Sequence, residues 1–255
     1  MASQFGSRHV LVGLRVRIAQ MATQDTLIAS NLAEIRERIA RSAARVGRAV
    51  EEITLVAVSK TFPPEAIRSA YELGLRHFGE NRVQEWESKR AAVADLDATW
   101  HLIGHLQSNK VRRAANLFNR VDSVDSVALA QKLDVAAAAE AKRLKVLIEV
   151  HLGGEETKSG VPETDLTVLA QSIAQLQNLG LLGLMTIPPY FDEPERVRPY
   201  FRRLRDLRDQ IGAQLKSPLA VLSMGMSHDF EIAIEEGATE IRVGTALFGQ
   251  RSKKA

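Results

Sequence analysis

A single-domain α/β barrel of eight parallel strands, each followed by a helix, is the fold this sequence predicts. Three observations carry it. Short apolar runs alternate with amphipathic segments along most of the chain, about eight such runs can be counted, and 255 residues is an ordinary length for such a barrel. A doubly wound open sheet is the alternative, and the strand count separates the two.

The elements follow in chain order. The first 25 residues read as a loose N-terminal extension, leaving 26–255 for the barrel. Its apolar core HVLVGL is short and is followed by Arg15 and Arg17, which makes a poor secretory signal; Met21 is an alternative start. Asp25–Arg48 predicts an amphipathic helix, with Ile28, Leu32, Ile35, Ile39 and Val46 on one face. Strand one is Ile53–Ser59, a short apolar run ended by Pro63 and Pro64, as in a strand buried on both faces. Helices are then expected at Pro64–Leu73 (stopped by Gly74), Val83–Val93, Lys110–Leu117 and the alanine-rich Val127–Leu144. The strands between them are Arg76–Phe78, Trp100–Ile103 and Arg120–Asp122, and Lys145–Val150 follows. After a polar loop, Gly153–Gly160, Pro162 is placed as a first helical residue, with Leu166, Leu169, Ile173 and Leu176 on the buried face. The chain finishes with strand Gly180–Thr186, a helix opened by Pro194, strand Leu219–Leu222, helix Phe230–Glu236 closed by Gly237, and strand Glu240–Val243.

Composition narrows the function. The chain is 45% hydrophobic and 25% charged, ordinary for a globular protein. Its 34 basic and 31 acidic residues are mixed, with no basic block interleaved with aromatics, so a nucleic-acid partner is not expected. No apolar run reaches the length of a membrane span. The absence of cysteine excludes disulfides and thiolate chemistry and suits a reducing, cytoplasmic setting.

The chemistry concentrates at strand ends, where barrels bind ligands. Lys60 stands where strand one emerges. Partly desolvated, such a lysine is a nucleophile towards an aldehyde; the plainer reading is a solvated side chain. Ser223-Met224-Gly225-Met226-Ser227 and Arg242-Val243-Gly244-Thr245 follow strands seven and eight and offer hydroxyls and glycines suited to a phosphate, or merely form two turns. Glu80 and Asn81 end strand two, facing the pocket or capping the next helix. His101 and His105 are four apart in HLIGHLQ without a nearby carboxylate, so no metal is expected. Lys158-Ser159-Gly160 reads as a solvated turn. The common nucleotide loops, GxxxxGK[ST] and GxGxxG, are absent.

Seven ordered segments carry a resemblance: AVSKT, HFGEN followed by VQE, HLIGHLQSNK, KSG, GLMTIP, LSMGMSHDFEIAI and EIRVGTALFG. Over about residues 26–250 the chain resembles the YggS/PROSC family of pyridoxal phosphate homeostasis proteins. The resemblance implies a barrel like the N-terminal domain of alanine racemase, with pyridoxal 5'-phosphate held as a Schiff base on Lys60. It places the phosphate at Ser223, Ser227, Gly244 and Thr245, Arg242 near the pyridine nitrogen, and Asn81 and Met185 around the ring. An arginine at that nitrogen leaves it unprotonated and makes a weak electron sink. A counterpart of a racemase's second domain, with its tyrosine base, is not expected. The implied function is a monomeric carrier that buffers the cofactor and supplies apo-enzymes. A cofactor-dependent amino-acid racemase is the alternative, and a cofactor-free Schiff-base aldolase a more distant one.

Overall fold

The computed structural model describes residues 4–153 and 159–250, with side chains from residue 24 onward. Lys158 and most of the predicted Gly153–Gly160 loop lie outside the described residues, as do residues 1–3. The strands are β1 (Thr54–Val58), β2 (His77–Glu80), β3 (Thr99–Leu102), β4 (Arg120–Val124), β5 (Leu144–His151), β6 (Val161–Pro162), β7 (Leu179–Met185), β8 (Val221–Ser223) and β9 (Glu240–Val243). All pairings are parallel, in the order β4-β3-β2-β1-β9-β8-β7-β5. The additional pairing of β4 with β5 closes the sheet into an eight-stranded barrel, which excludes the open doubly wound alternative. The two-residue β6 pairs with β5 outside the ring.

The helices are α1 (Gln4–Arg45), α2 (Pro64–Glu72), α3 (Val83–Lys89), α4 (Val111–Leu117), α5 (Val127–Ala139), α6 (Glu163–Ala174), α7 (Arg198–Leu215), α8 (Phe230–Glu235) and α9 (Thr245–Phe248). The helix predicted over Asp25–Arg48 is the C-terminal half of α1. Ile28, Leu32, Ile35 and Ile39 are buried as expected, but Val46 is exposed. The helix ends before it: Gly47 takes φ 67° and the Arg48 N–H returns to the Ala43 carbonyl at 3.0 Å.

The position of α1 explains why a helix precedes the barrel. It packs against α2, α8 and α9. Among the described residues after β9 the one helix is the four-residue α9, too short to cover the wall beside β9 and β1. There α1 takes the place of an eighth outer helix. Asn31 Nδ2 donates to the Leu247 carbonyl at 2.9 Å and ties α1 to α9.

Two further expectations are corrected. Pro162 is not the first helical residue but the cap before it, with extended backbone (φ −64°, ψ 152°) in β6. The alanine-rich helix stops at Ala139, because Ala141 adopts a left-handed turn (φ 50°).

Charged residues fill part of the barrel lumen. Arg120 Nη2 lies 2.5 and 2.7 Å from the two Glu240 carboxylate oxygens and 2.8 Å from Asp122 Oδ2. Because β4 and β9 are not neighbours in the sheet, the Arg120–Glu240 pair crosses the interior. His77 and His101 extend the chain: their ring nitrogens are 3.0 Å apart, and His101 Nδ1 is 3.3 Å from Asp122.

Candidate functional site

A cavity of about 250 Å³ opens at the C-terminal end of the barrel. Its lining comes from the segments that follow six strands: Lys60 and Phe62 after β1, Asn81 after β2, Ile103 after β3, Ile187 after β7, Met226, Ser227 and His228 after β8, and Gly244 and Thr245 after β9, together with Val58 and Arg242 from within β1 and β9. A short strand that must end in a turn thus delivers each functional group to one mouth.

Lys60 is partly buried in a tight turn. The Phe62 N–H closes it on the Ser59 carbonyl at 3.1 Å, and Thr61 takes φ 68°. A β-branched residue there carries strain on the order of 1–3 kcal/mol, so surrounding bonds must hold the turn. They do: the Thr61 N–H donates to the Glu85 carboxylate, and the Ser59 hydroxyl donates to Glu80 Oε1 at 2.6 Å. Glu80 is therefore a buried support beneath the turn, while its neighbour Asn81 reaches the cavity. Burial pushes the Glu80 carboxyl up, against the pull of Lys89.

The segment after β8 is a fixed turn. Asp229 Oδ1 accepts from the Met226 N–H at 2.6 Å, and burial raises the pKa of that carboxyl. Gly225 has φ 91°, and a Cβ there would come within 2.5 Å of the Ala233 Cβ. Ser227 Oγ then lies 3.4 Å from Thr245 Oγ1 and accepts from the Ala246 N–H at 3.3 Å, which brings the two predicted phosphate segments together. A Cβ at Gly244 would clash with nothing, at 3.4 Å from Val58, so packing alone does not demand glycine at this wall.

Six of the eight predicted site residues line the cavity: Lys60, Asn81, Ser227, Arg242, Gly244 and Thr245. Ser223 and Met185 lie fully buried beneath it, side by side in the register of β8 and β7. The Ser223 hydroxyl accepts from Arg242 Nη1 at 2.8 Å, and Arg242 Nη2 donates to the Thr186 carbonyl at 2.8 Å, so Ser223 fixes the guanidinium. Burial lowers the pKa of Arg242, but an arginine keeps its proton at any ordinary pH. His101 and His105 are not brought together; His101 is in the lumen and His105 is exposed, 3.4 Å from Asp125. His101, Asp122 and Glu240 have metal-ligand spacing, but Arg120 already supplies the positive charge between the two carboxylates.

Sequence reading missed Lys89 beneath the Lys60 turn, Gly104 in the cavity wall, Arg120 in the lumen and the buried Glu149 of β5. A Cβ at Gly104 would overlap the Asn81 carbonyl oxygen and approach Asn81 Oδ1 to 2.7 Å, so this glycine in HLIGHLQSNK shapes the cavity wall. Gly104→Ala is expected to displace Asn81 and weaken ligand binding about tenfold while costing about 1–3 kcal/mol of stability. Titration of the variant and its melting curve check this. Unchanged affinity would remove Asn81 from the site.

The geometry suits a small anionic aldehyde. It combines one amine, paired hydroxyls beside glycine, a guanidinium, and apolar walls from Val58, Phe62 and Ile103. The chain matches the family model for the alanine racemase N-terminal domain over residues 30–252. The alanine racemase of Clostridium difficile shares the fold, with a TM-score of 0.66 at 14% identity over 90% of this chain and 58% of that one. The pyridoxal phosphate homeostasis protein of Aquifex aeolicus is 50% identical over 86% of this chain and 96% of its own length. That of Pseudomonas aeruginosa is 46% identical over 88% and 96%. PipY of Synechococcus elongatus, whose structure was solved with PLP bound, is 42% identical with a TM-score of 0.78, over 87% of this chain and all of that one. The chain belongs to the pyridoxal phosphate homeostasis protein family.

Proposed function

We propose that this protein binds pyridoxal 5'-phosphate and serves as a carrier that buffers the cofactor and supplies apo-enzymes. The observation that carries the proposal is one cavity in which Lys60 shares the mouth with Ser227, Gly244 and Thr245. The names of the relatives and the PLP-bound PipY structure support it. Bound there, the cofactor supplies an aldehyde carbon with which the Lys60 amine condenses, forming a C=N bond and releasing water. Ser227 and Thr245 provide hydroxyls for the phosphate, and Asn81 borders the ring.

Carriage is favoured over racemisation by the names of the relatives, which are homeostasis proteins. Arg242 is a donor-only group, and no carboxylate lines the cavity among the described residues, so the ring nitrogen gains no acidic partner and the electron sink stays weak. Racemisation also needs a proton donor on each face of the substrate. Besides Lys60, the lining residue able to move a proton is His228, whose Nε2 lies 3.2 Å from the Phe191 carbonyl oxygen and whose ring stacks on Tyr190 at 5.3 Å. Among the described residues no helix is long and apolar enough to cross a membrane. Action as a monomer in the cytoplasm, where apo-enzymes are made, completes the proposal.

The test is to mix the loaded protein with an apo-enzyme while a phosphatase removes free cofactor. Recovery of the apo-enzyme's activity is expected. No recovery, or useful turnover in α-hydrogen exchange on alanine, would overturn carriage.

A further inference from the structure

We infer that Lys89 is a positioning residue, which sets the Lys60 turn for covalent capture of an aldehyde through a buried clamp with Glu80 and Glu85. This rests on the reading of Lys60 given above. Lys89 is the last residue of α3 and is 8% exposed. It does not line the cavity. Its ammonium donates to the Ser59 carbonyl at 3.0 Å and the Phe62 carbonyl at 3.3 Å, so it grips the residue before Lys60 and the one that closes the turn. The same nitrogen is 2.8 Å from Glu80 Oε1 and 3.1 Å from Glu85 Oε1.

The two acids complete the clamp. Glu80 Oε1 also receives the Ser59 hydroxyl, and Glu85 receives the Thr61 N–H. Three consecutive residues, Ser59, Lys60 and Thr61, are thereby held on both sides of the reactive one, with Thr61 in a left-handed conformation it would not keep alone. Glu80 Oε2 is buried with no hydrogen-bond partner among the described residues, so this carboxylate depends on Lys89 and Ser59. A polar arrangement this incomplete and this buried is poor as a stabiliser and is explained by what it orients.

A positioning role separates two quantities. Capture of an aldehyde requires the Lys60 nitrogen at bonding distance in the right direction, whereas noncovalent binding of ring and phosphate does not. Lys89→Met should therefore weaken binding of pyridoxal 5'-phosphate about tenfold, yet leave the affinity for 4'-deoxypyridoxine 5'-phosphate, which has no aldehyde, within about twofold. Both are titrated on the full chain, with the borohydride-sensitive visible band reporting covalent capture. Because Lys89→Met leaves Glu80 as an uncompensated buried charge, Glu80→Gln with Lys89→Met is measured alongside, to read the same ratio in a protein without that charge. Equal losses for both ligands, or no loss for either, would overturn the inference. A parent protein lacking the band would overturn the Lys60 reading itself and this inference with it.

Discussion

Arg120→Met is expected to destabilise the protein by about 3–5 kcal/mol, because it leaves two buried carboxylates facing each other across the barrel without their cation. Arg120 is 5% exposed, Asp122 0% and Glu240 2%. Burial alone would raise the pKa of Asp122, but Arg120 and His101 hold it below the usual carboxylate range. Asp122 thus stabilises the fold above its unfolded pKa, and that contribution is lost as pH falls towards the lower, folded value. Without Arg120 the charge must be neutralised or exposed. Adding Asp122→Asn and Glu240→Gln to Arg120→Met should recover much of the loss, since replacing every partner costs less than removing one. Urea denaturation at neutral pH measures both. If the single variant is no less stable than the parent, the lumenal network does not hold the barrel together.

Glu149→Gln should change how stability depends on pH. Glu149 is 5% exposed on β5, and burial pushes its carboxyl from an ordinary 4.5 up to about 7, against the attraction of Arg242 and with help from Asp125. Below pH 4.5 the group is neutral in both folded and unfolded chains. As pH rises towards 7 the unfolded chain releases its proton while the folded one keeps it, so stability falls across that window and then levels. The parent should lose on the order of 3 kcal/mol through this group between about pH 4.5 and 7.5. Glutamine, which cannot ionise, should flatten that slope and leave the variant the more stable protein at pH 8. Parallel stability curves for the two proteins would mean that Glu149 is solvated and ordinary.

The barrel was legible because each strand is a short apolar run with a turn signal at its end. Glu240–Val243 was read to the residue, and Thr54–Val58 within one. The helix ends were less legible where a left-handed residue decides them, as Gly47 and Ala141 do. The cavity lining was legible through the family's motifs and the rule that ligands sit at strand ends. Ser223 and Met185 face the lumen, as Arg242 does, but lie deeper than the lining, because depth along the barrel axis depends on strand stagger, which no local pattern states. The lumenal charges other than Arg242 were the largest omission. Arg120 and Asp122, and likewise Glu240 and Arg242, alternate inside apolar strands. In a barrel covered by helices, polar residues at that spacing point into the lumen and must find partners there. That spacing was the available signal. Lys89 left none, because an i,i+4 pair with Glu85 looks like any surface ion pair until the turn after β1 closes over it.

The role of Lys60 is tested most directly by the visible absorbance spectrum of the purified protein and of Lys60→Ala, each incubated with pyridoxal 5'-phosphate and then treated with borohydride. A yellow band that borohydride bleaches, with the mass of one reduced cofactor fixed to Lys60, is expected in the parent, and no such band in the variant. A parent without the band, or a variant that keeps it, would contradict Lys60 as the residue that holds the cofactor.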